Sequence, residues 1–190
     1  MKTINVEIEG TTPLLMARFD VDDYQEAEES RAKGKKVLKV VDKSKEATAK
    51  RSAYFSGDGK ELIIPAQVLY ASILNASSWY KINKRSAKTI LAGSIRITPE
   101  EISLGTNKYE IDTRPVVNRG RGRILCHRAK LNKWKAKFSI VYNEQMIPQG
   151  NLSDIKLILE EAGQRIGIMS YRPQKSGWYG TFTVTKFDFD

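Results

Sequence analysis

Apolar and polar residues alternate along the first segment of the chain. Ile4, Val6 and Ile8 are each separated by one polar residue, the period-two pattern of a strand with one buried face. Gly10 and Pro13 then interrupt the alternation. The segment before them is therefore predicted to be a half-buried strand.

Further alternating or short apolar runs predict strands at residues 53–55, 61–64, 94–97, 101–104, 112–117, 123–130, 133–142 and 181–189. Apolar residues at helical spacing after Pro65 predict a core helix over residues 66–79, and those from Ile155 to Ile166 predict a second, amphipathic helix. The basic segment between the first helix and the next strand, residues 81–88, is predicted to be a loop.

Two helices interspersed among mostly antiparallel strands predict an α+β fold. The simplest match is a ferredoxin-like, RRM-like antiparallel sheet with two core helices. Residues 20–52 contain an acidic block followed by a basic block and few apolar positions, which predicts a mobile, partly helical charged insertion. We expect one nucleic-acid-binding domain over residues 1–190 with this insertion inside it.

Bulk composition narrows the classes of function. The net charge of +10 favours polyanionic partners. The lone Cys126 excludes an internal disulfide framework. The chain contains neither eighteen consecutive apolar residues nor the apolar core of a signal peptide. We therefore expect a cytoplasmic protein that does not associate with membranes.

The most unusual segment is Thr113–Asn143, which contains nine basic residues and no acidic ones. Ordinary protein surfaces intersperse the two signs of charge, so a run of one sign this long favours a polyanionic ligand. Its candidate binding residues are Arg114, Arg119, Arg121, Arg123, Arg128, Lys130, Lys133, Lys135 and Lys137.

Strand parity divides this stretch into two faces. Alternate residues from Trp134 to Tyr142 are apolar and should face the core, so Lys133, Lys135 and Lys137 should form an exposed basic stripe. Lysines that protect a sheet edge would explain the stripe equally well. They would not explain the arginine-glycine turn at 118–122, where glycines allow close approach to phosphate and arginines match its oxygens.

A second candidate is the aromatic and basic loop at residues 171–180. Its aromatic residues could stack on bases while its cations contact phosphates. Packing of the two consecutive aromatics as a loop anchor is the alternative. The candidate residues are Tyr171, Arg172, Lys175, Trp178 and Tyr179.

The lone histidine, His127, lies within the basic stretch and is a candidate base contact. It could also serve as a general base in RNA cleavage. No CxxC pair, phosphate-binding loop, nucleophile elbow or dinucleotide fingerprint is present. We therefore expect no metal and no cofactor, and we expect the protein not to be an enzyme.

Three segments resemble the RAMP superfamily of CRISPR-associated RNA-binding proteins. Ile8–Met16 (IEGTTPLLM) resembles their first strand and turn, and the helix after Ile63–Pro65 resembles the helix that follows in Cascade backbone subunits. Gly167–Gly180 (GIMSYRPQKSGWYG) is similar to their glycine-rich loop. The chain also resembles small phage and archaeal mobile-element proteins of unassigned function.

This resemblance implies a ferredoxin-like fold, binding of RNA or another single strand, and in some members assembly along a guide RNA. It places RNA contacts at Arg172, Lys175 and Gly177. Pro173 and the consecutive Trp178 and Tyr179 make this loop bulkier than the family's usual small-residue version. The chain is also shorter than typical backbone subunits, and His127 does not match the more N-terminal histidine of the family's endonucleases.

The leading hypothesis from the sequence is a non-catalytic, largely sequence-independent binder of single-stranded RNA or DNA. Such a protein could form a homo-oligomer along the strand or a subunit of a ribonucleoprotein complex. Two alternatives stay open. One is a metal-independent RAMP-type endoribonuclease that uses His127, and the other is a protein-binding subunit or inhibitor of a CRISPR-type complex.

Overall fold

The computed structural model describes residues 1–19, 44–118 and 122–189, with the side chains of residues 1–19, 44–117 and 125–189. Most of the predicted charged insertion, residues 20–43, therefore lies outside the described residues. So do the central residues of the arginine-glycine turn, 119–121.

The strands and helices follow one another as β1 (Lys2–Gly10), β2 (Leu14–Leu15), α1 (Lys45–Ser52), β3 (Ile63–Pro65), α2 (Ala66–Ala76), β4 (Lys81–Ile82), β5 (Arg85–Ser86), α3 (Ala87–Ser94), β6 (Ile95–Thr98), β7 (Glu101–Ser103), β8 (Glu110–Asn118), β9 (Gly122–Leu131), β10 (Lys135–Tyr142), α4 (Leu152–Glu161) and β11 (Phe182–Phe189). Short 3₁₀ turns lie at Ser77–Trp79, Gln149–Asn151 and Pro173–Lys175, and a π-helical turn at Ala162–Ile166 continues α4.

The main sheet has the strand order β11-β1-β10-β6, and every neighbouring pair in it is antiparallel. Helix α2 connects β1 to β6 within the chain order, and α4 connects β10 to β11. Two interleaved strand-helix-strand units with this strand order form a ferredoxin-like α+β fold. The predicted fold class is therefore confirmed.

The two helices cover one face of the main sheet. Ile4, Val6 and Ile8 of β1 are buried in a single core with Leu69 of α2 and Ile158 of α4. On β10, the alternate residues from Trp134 to Tyr142 that were predicted to face the core are all buried, namely Trp134, Ala136, Phe138, Ile140 and Tyr142. The predicted parity of both strands is confirmed.

Several predicted boundaries are corrected. The helix predicted over residues 66–79 ends at Ala76 and continues as a 3₁₀ turn. The segment predicted as a basic loop contains the β4–β5 hairpin and the start of α3. Helix α3 is only eight residues long, and its apolar period rests on Ala87, Ile90 and Leu91. So short a pattern is difficult to detect in a sequence.

A second sheet, in the order β2-β9-β8, contains the long β8–β9 hairpin. Its pairing runs from Glu110 opposite Lys130 to Asn118 opposite Gly122. Helix α1 packs beside β9, where the backbone amide of Ala129 donates a hydrogen bond of 2.9 Å to Ser52 Oγ. The last part of the predicted insertion is thus helical. Within the described ranges, no helix is long and apolar enough to cross a membrane.

Candidate nucleic-acid interface

The β8–β9 hairpin presents two faces, because directly opposed residues of an antiparallel pair lie on the same side of the sheet. Asp112 lies opposite Arg128, with Arg114 two residues further along on the same face. Thr113 lies opposite His127 on the other face. The hairpin therefore separates two of the predicted arginines from the predicted histidine.

The arginine-bearing face meets the glycine-bounded loop at residues 167–180. Backbone hydrogen bonds fix this loop to the start of the chain: Gly180 N donates to Pro13 O at 2.8 Å, and Ser170 N donates to Leu15 O at 2.9 Å. A β-carbon at Gly177 would lie 1.9 Å from Tyr171 O, so only glycine allows the loop to fold back at this point.

Three aromatic rings of the loop pack edge to face. The centroids of Tyr171 and Tyr179 lie 5.9 Å apart, and Trp178 lies 6.3 Å from Tyr171 and 6.4 Å from Tyr179. Tyr179 is half-buried, whereas Trp178 is 66% exposed. The loop therefore holds Trp178 in solvent against Tyr171, which is itself 40% exposed, and against the half-buried Tyr179. We call these three residues the aromatic cluster.

Arg114 joins the hairpin to the aromatic cluster. Its guanidinium donates to both carboxylate oxygens of Asp112, at 2.5 and 2.6 Å, and to the hydroxyl of Tyr179 at 3.1 Å. It also lies 5.0 Å from the ring centroid of Tyr171 and 5.1 Å from that of Tyr179. The hydrogen bonds to Asp112 raise the pKa of Arg114 above its usual range. Arg114 thus stays charged and orients two of the three rings.

The remaining cations of this surface differ in how many hydrogen-bond partners they have. Arg128 donates to Ser170 Oγ at 2.9 Å, a second contact between hairpin and loop. Arg172 donates to Met169 O at 2.9 Å and to the side chain of Gln174. Lys175 is exposed. Arg128, Arg172 and Lys175 place cationic groups on the hairpin and loop that carry the aromatic cluster.

His127 lies on the other face of the hairpin. It is half-buried, and its Nδ1 lies 2.8 Å from Thr113 Oγ1. Within the described residues, no group of three or more His, Cys, Asp or Glu side chains is arranged to hold a metal ion. The structure therefore gives His127 a hydroxyl partner on the neighbouring strand.

The predicted lysine stripe lies on the sheet face opposite the helices, where glutamates of β1 face it. Lys137 pairs with Glu7 at 2.9 Å, and Lys135 pairs with Glu9 at 3.2 Å. Lys133 is exposed. Two of the three predicted lysines are thus partly neutralised by carboxylates of the neighbouring strand.

The other predicted residues are distributed more widely. Lys130 pairs with Glu110 at 3.3 Å at the base of the hairpin. Arg119 and Arg121 lie outside the described residues, and Arg123 lies in β9 with its side chain outside them. The structure therefore brings together Arg114, Arg128, Tyr171, Arg172, Lys175, Trp178 and Tyr179, the residues of the hairpin and the loop.

Sequence reasoning missed the acidic partner at the centre of this surface. Asp112 lies immediately outside the acid-free stretch, and it faces the same side as Arg114 because the two are separated by two residues on one strand. The period-two rule applied to this pair would have predicted the contact. Ser170, the partner of Arg128, carries no such signal, because it comes from a distant loop.

A comparison with known proteins finds a solved structure of similar fold. No protein-family model matches the sequence, and no curated protein matches it. The structure is similar to a chain in the cryo-EM structure of the type III-B Cmr-beta bound to cognate target RNA, with a TM-score of 0.61 and 15% sequence identity. The match covers 99% of this chain and 60% of that one, so this chain spans about three fifths of its length. At this identity the likeness shows the fold alone.

Proposed function

We propose that this protein is a non-catalytic, largely sequence-independent binder of single-stranded nucleic acid, RNA or DNA. The observation that carries the proposal is the exposed Trp178, 66% exposed and held on a base of Tyr171 and Tyr179. Exposing a large aromatic ring to water is unfavourable, and such rings concentrate where a partner covers them. A base of a single strand offers a flat partner of matching size.

The cations around the ring support the same ligand. Arg128, Arg172 and Lys175 lie on the hairpin and the loop, where they could contact the phosphates on either side of a stacked base. Arg114 contributes differently, because Asp112 and Tyr179 already occupy two of its guanidinium nitrogens. In this proposal Arg114 is a positioning residue for the aromatic cluster.

The structural likeness supports RNA as one natural ligand, since the similar chain belongs to an assembly bound to target RNA. On this basis we further propose that the protein is a RAMP-superfamily member that acts within a ribonucleoprotein complex or as copies along one strand. The proposed site lies on the β8–β9 hairpin and the 167–180 loop, and it needs no metal or cofactor.

The experiment is a fluorescence-anisotropy titration of labelled single-stranded RNA and DNA with the wild type, Trp178→Ala and Trp79→Ala. Trp79 is the matched control, because it is 55% exposed and its ring contacts the guanidinium of Arg165, 4.7 Å from the ring centroid, outside the hairpin and the 167–180 loop. Loss of one stacking contact is worth about 1–3 kcal/mol, so Trp178→Ala should weaken binding about 5- to 150-fold. Trp79→Ala should leave it unchanged, and equal effects of the two would refute the proposed site.

Salt dependence tests the phosphate contacts. If about five phosphates are contacted, the log–log slope of single-strand affinity against salt should be about −3.5, or roughly a hundredfold loss over a fourfold rise in salt. An affinity insensitive to salt would contradict phosphate binding.

Incubation of RNA with the protein in EDTA tests the absence of catalysis. Cleavage that is lost in His127→Ala would instead support a ribonuclease.

A further inference from the structure

A cavity of about 780 Å³ is lined by residues outside the hairpin and loop just described. Its wall includes Arg18, Tyr54 and Phe55, then Tyr70 of α2 and Arg96 of β6. None of its lining residues belongs to the aromatic cluster or its neighbouring cations. The cavity volume falls within the range that accommodates a small organic ligand.

Two arginines supply the positive charges in the cavity wall. Arg18 and Arg96 are both exposed, and neither guanidinium forms a hydrogen bond or ion pair with a residue that the structure describes. They differ in this from Arg114 and Lys137, which have carboxylate partners. Arginines without acidic partners that line one cavity are suited to bind a phosphate group.

The N-terminus of helix α2 also favours an anionic group in the cavity. Its first turn, beginning at Ala66 after Pro65, borders the cavity, has no side-chain cap and contains no acidic residue. The Ala66 amide donates to Glu100 O at 2.8 Å, and the amide groups of the next residues in the first turn attract anions. The helix therefore reinforces an anion site that the two arginines define.

The aromatic rings in the wall are held in place by contacts outside the cavity. Phe55 packs edge to face on Tyr109 with centroids 6.5 Å apart, and the hydroxyl of Tyr70 donates to Ala92 O at 2.8 Å. Tyr54 is half-buried beside them. Fixed rings next to arginines that have no acidic partner among the described residues provide an apolar surface for a flat ring and a cationic surface for a phosphate.

Two carboxylates complete the wall. Glu101 accepts a hydrogen bond of 3.0 Å from the backbone amide of Gly57, and Glu100 is exposed. Carboxylates would repel a phosphate but accept hydrogen bonds from the amino group of a base. The wall therefore suits a ligand with an anionic end and a donor-bearing flat end.

We propose that this cavity binds one nucleotide, with its phosphate at Arg18 and Arg96 and its base against Tyr54, Phe55 and Tyr70. The nucleotide could be a free nucleoside 5′-phosphate or a nucleotide at the end of a strand, because both present the same chemical groups. The proposal does not depend on the strand-binding surface, since the two sites share no residue.

The experiment titrates the full chain with adenosine 5′-monophosphate by isothermal calorimetry, beside adenosine and ribose 5-phosphate. The variants are Arg96→Ala and, as the matched control, Arg85→Ala, another exposed arginine outside the cavity. We expect saturable binding of the monophosphate and weaker binding of both fragments. Arg96→Ala should weaken binding about tenfold or more, as expected for a lost charge-assisted contact. Arg85→Ala should bind like the wild type.

No saturable binding, equal loss in the two arginine variants, or adenosine binding as tightly as its monophosphate would each overturn the proposal. Competition by a short 5′-phosphorylated oligonucleotide would assign the site to a strand end, and its failure to compete would assign it to the free nucleotide. Trp178→Ala should weaken binding of an internal strand segment without changing binding of the monophosphate. Either site can therefore fail without the other.

Discussion

The ion pair between Asp112 and Arg114 predicts a measurable coupling energy between these two residues of β8, one of which contacts the loop. In the Asp112→Ala variant Arg114 loses both of its carboxylate bonds, and in Arg114→Ala the rings of Tyr171 and Tyr179 lose the cation between them. The two single variants and the double variant form a thermodynamic cycle, which isolates the energy of the pair.

The geometry sets the expected loss in the free energy of unfolding for each variant. A hydrogen bond to a charged group contributes about 1.5–3 kcal/mol when it is well buried. The Arg114 and Asp112 side chains are 25% and 12% exposed, so solvent screening reduces the two bonds together to about 1–2 kcal/mol. Arg114→Ala also loses two cation–π contacts of about 0.5–1 kcal/mol each. We therefore expect Arg114→Ala to cost about 2–4 kcal/mol and Asp112→Ala about 1–2 kcal/mol.

The assay is urea unfolding of the wild type and the three variants, followed by far-UV circular dichroism. Thermal unfolding of the same proteins should show a loss of about 2–8 °C in Tm for Asp112→Ala in a chain of this size. The control is Arg85→Ala, which removes an exposed arginine of β5 and should leave the free energy of unfolding unchanged. A coupling energy below about 0.3 kcal/mol, within the additivity error of independent sites, would show that Asp112 does not hold Arg114 in place.

Three further results are expected. Gly177→Ala should destabilise the protein and weaken strand binding, because its β-carbon would overlap the Tyr171 backbone, whereas Gly93→Ala, with nothing within 4 Å, should not destabilise it in thermal unfolding. A lysine that contacts a phosphate contributes about 0.7 to the log–log slope of single-strand affinity against salt. Lys135 and Lys137 both have glutamate partners, so the double variant Lys135→Ala, Lys137→Ala should reduce this slope by less than that amount per lysine. Hydrogen bonds from Asn132 and Lys130 lower the pKa of Glu110 from its ordinary value of 4.5, so its stabilising contribution is present above that pH and lost as pH falls through the lower folded value. In Glu110→Gln the free energy of unfolding should therefore fall less steeply with decreasing pH below about pH 4.5. The same pH dependence in the variant and the wild type would contradict this.

Much of the main sheet could be predicted from the sequence, because its strands have one buried face. The alternation in β1 and β10 specifies which side chains face inward, and those residues are buried as predicted. The short helix α3 was missed, since its eight residues span about two turns and carry only a few apolar positions.

The candidate site was predictable in its residue types but not in its arrangement. Parity places Lys135 and Lys137 on the exposed face, and the same rule places Glu7 and Glu9 on the polar face of β1. It does not say that β1 and β10 are neighbours, and that pairing determines which charges meet. The contact of Arg114 with Tyr179 could not be predicted for the same reason. It joins residues that are 65 positions apart in the sequence, and only the fold brings them together.

The hydrogen bonds that tie the 167–180 loop to Pro13 and Leu15 have a consequence for protein synthesis. Ribosomes extend the chain from its N-terminus, so the basic hairpin is made before the loop that supplies the aromatic cluster. Strand β11, which pairs with β1, follows the loop in the chain. The stacking surface can therefore form only after the loop has emerged, and a chain synthesised only as far as the hairpin lacks the aromatic half of the proposed site.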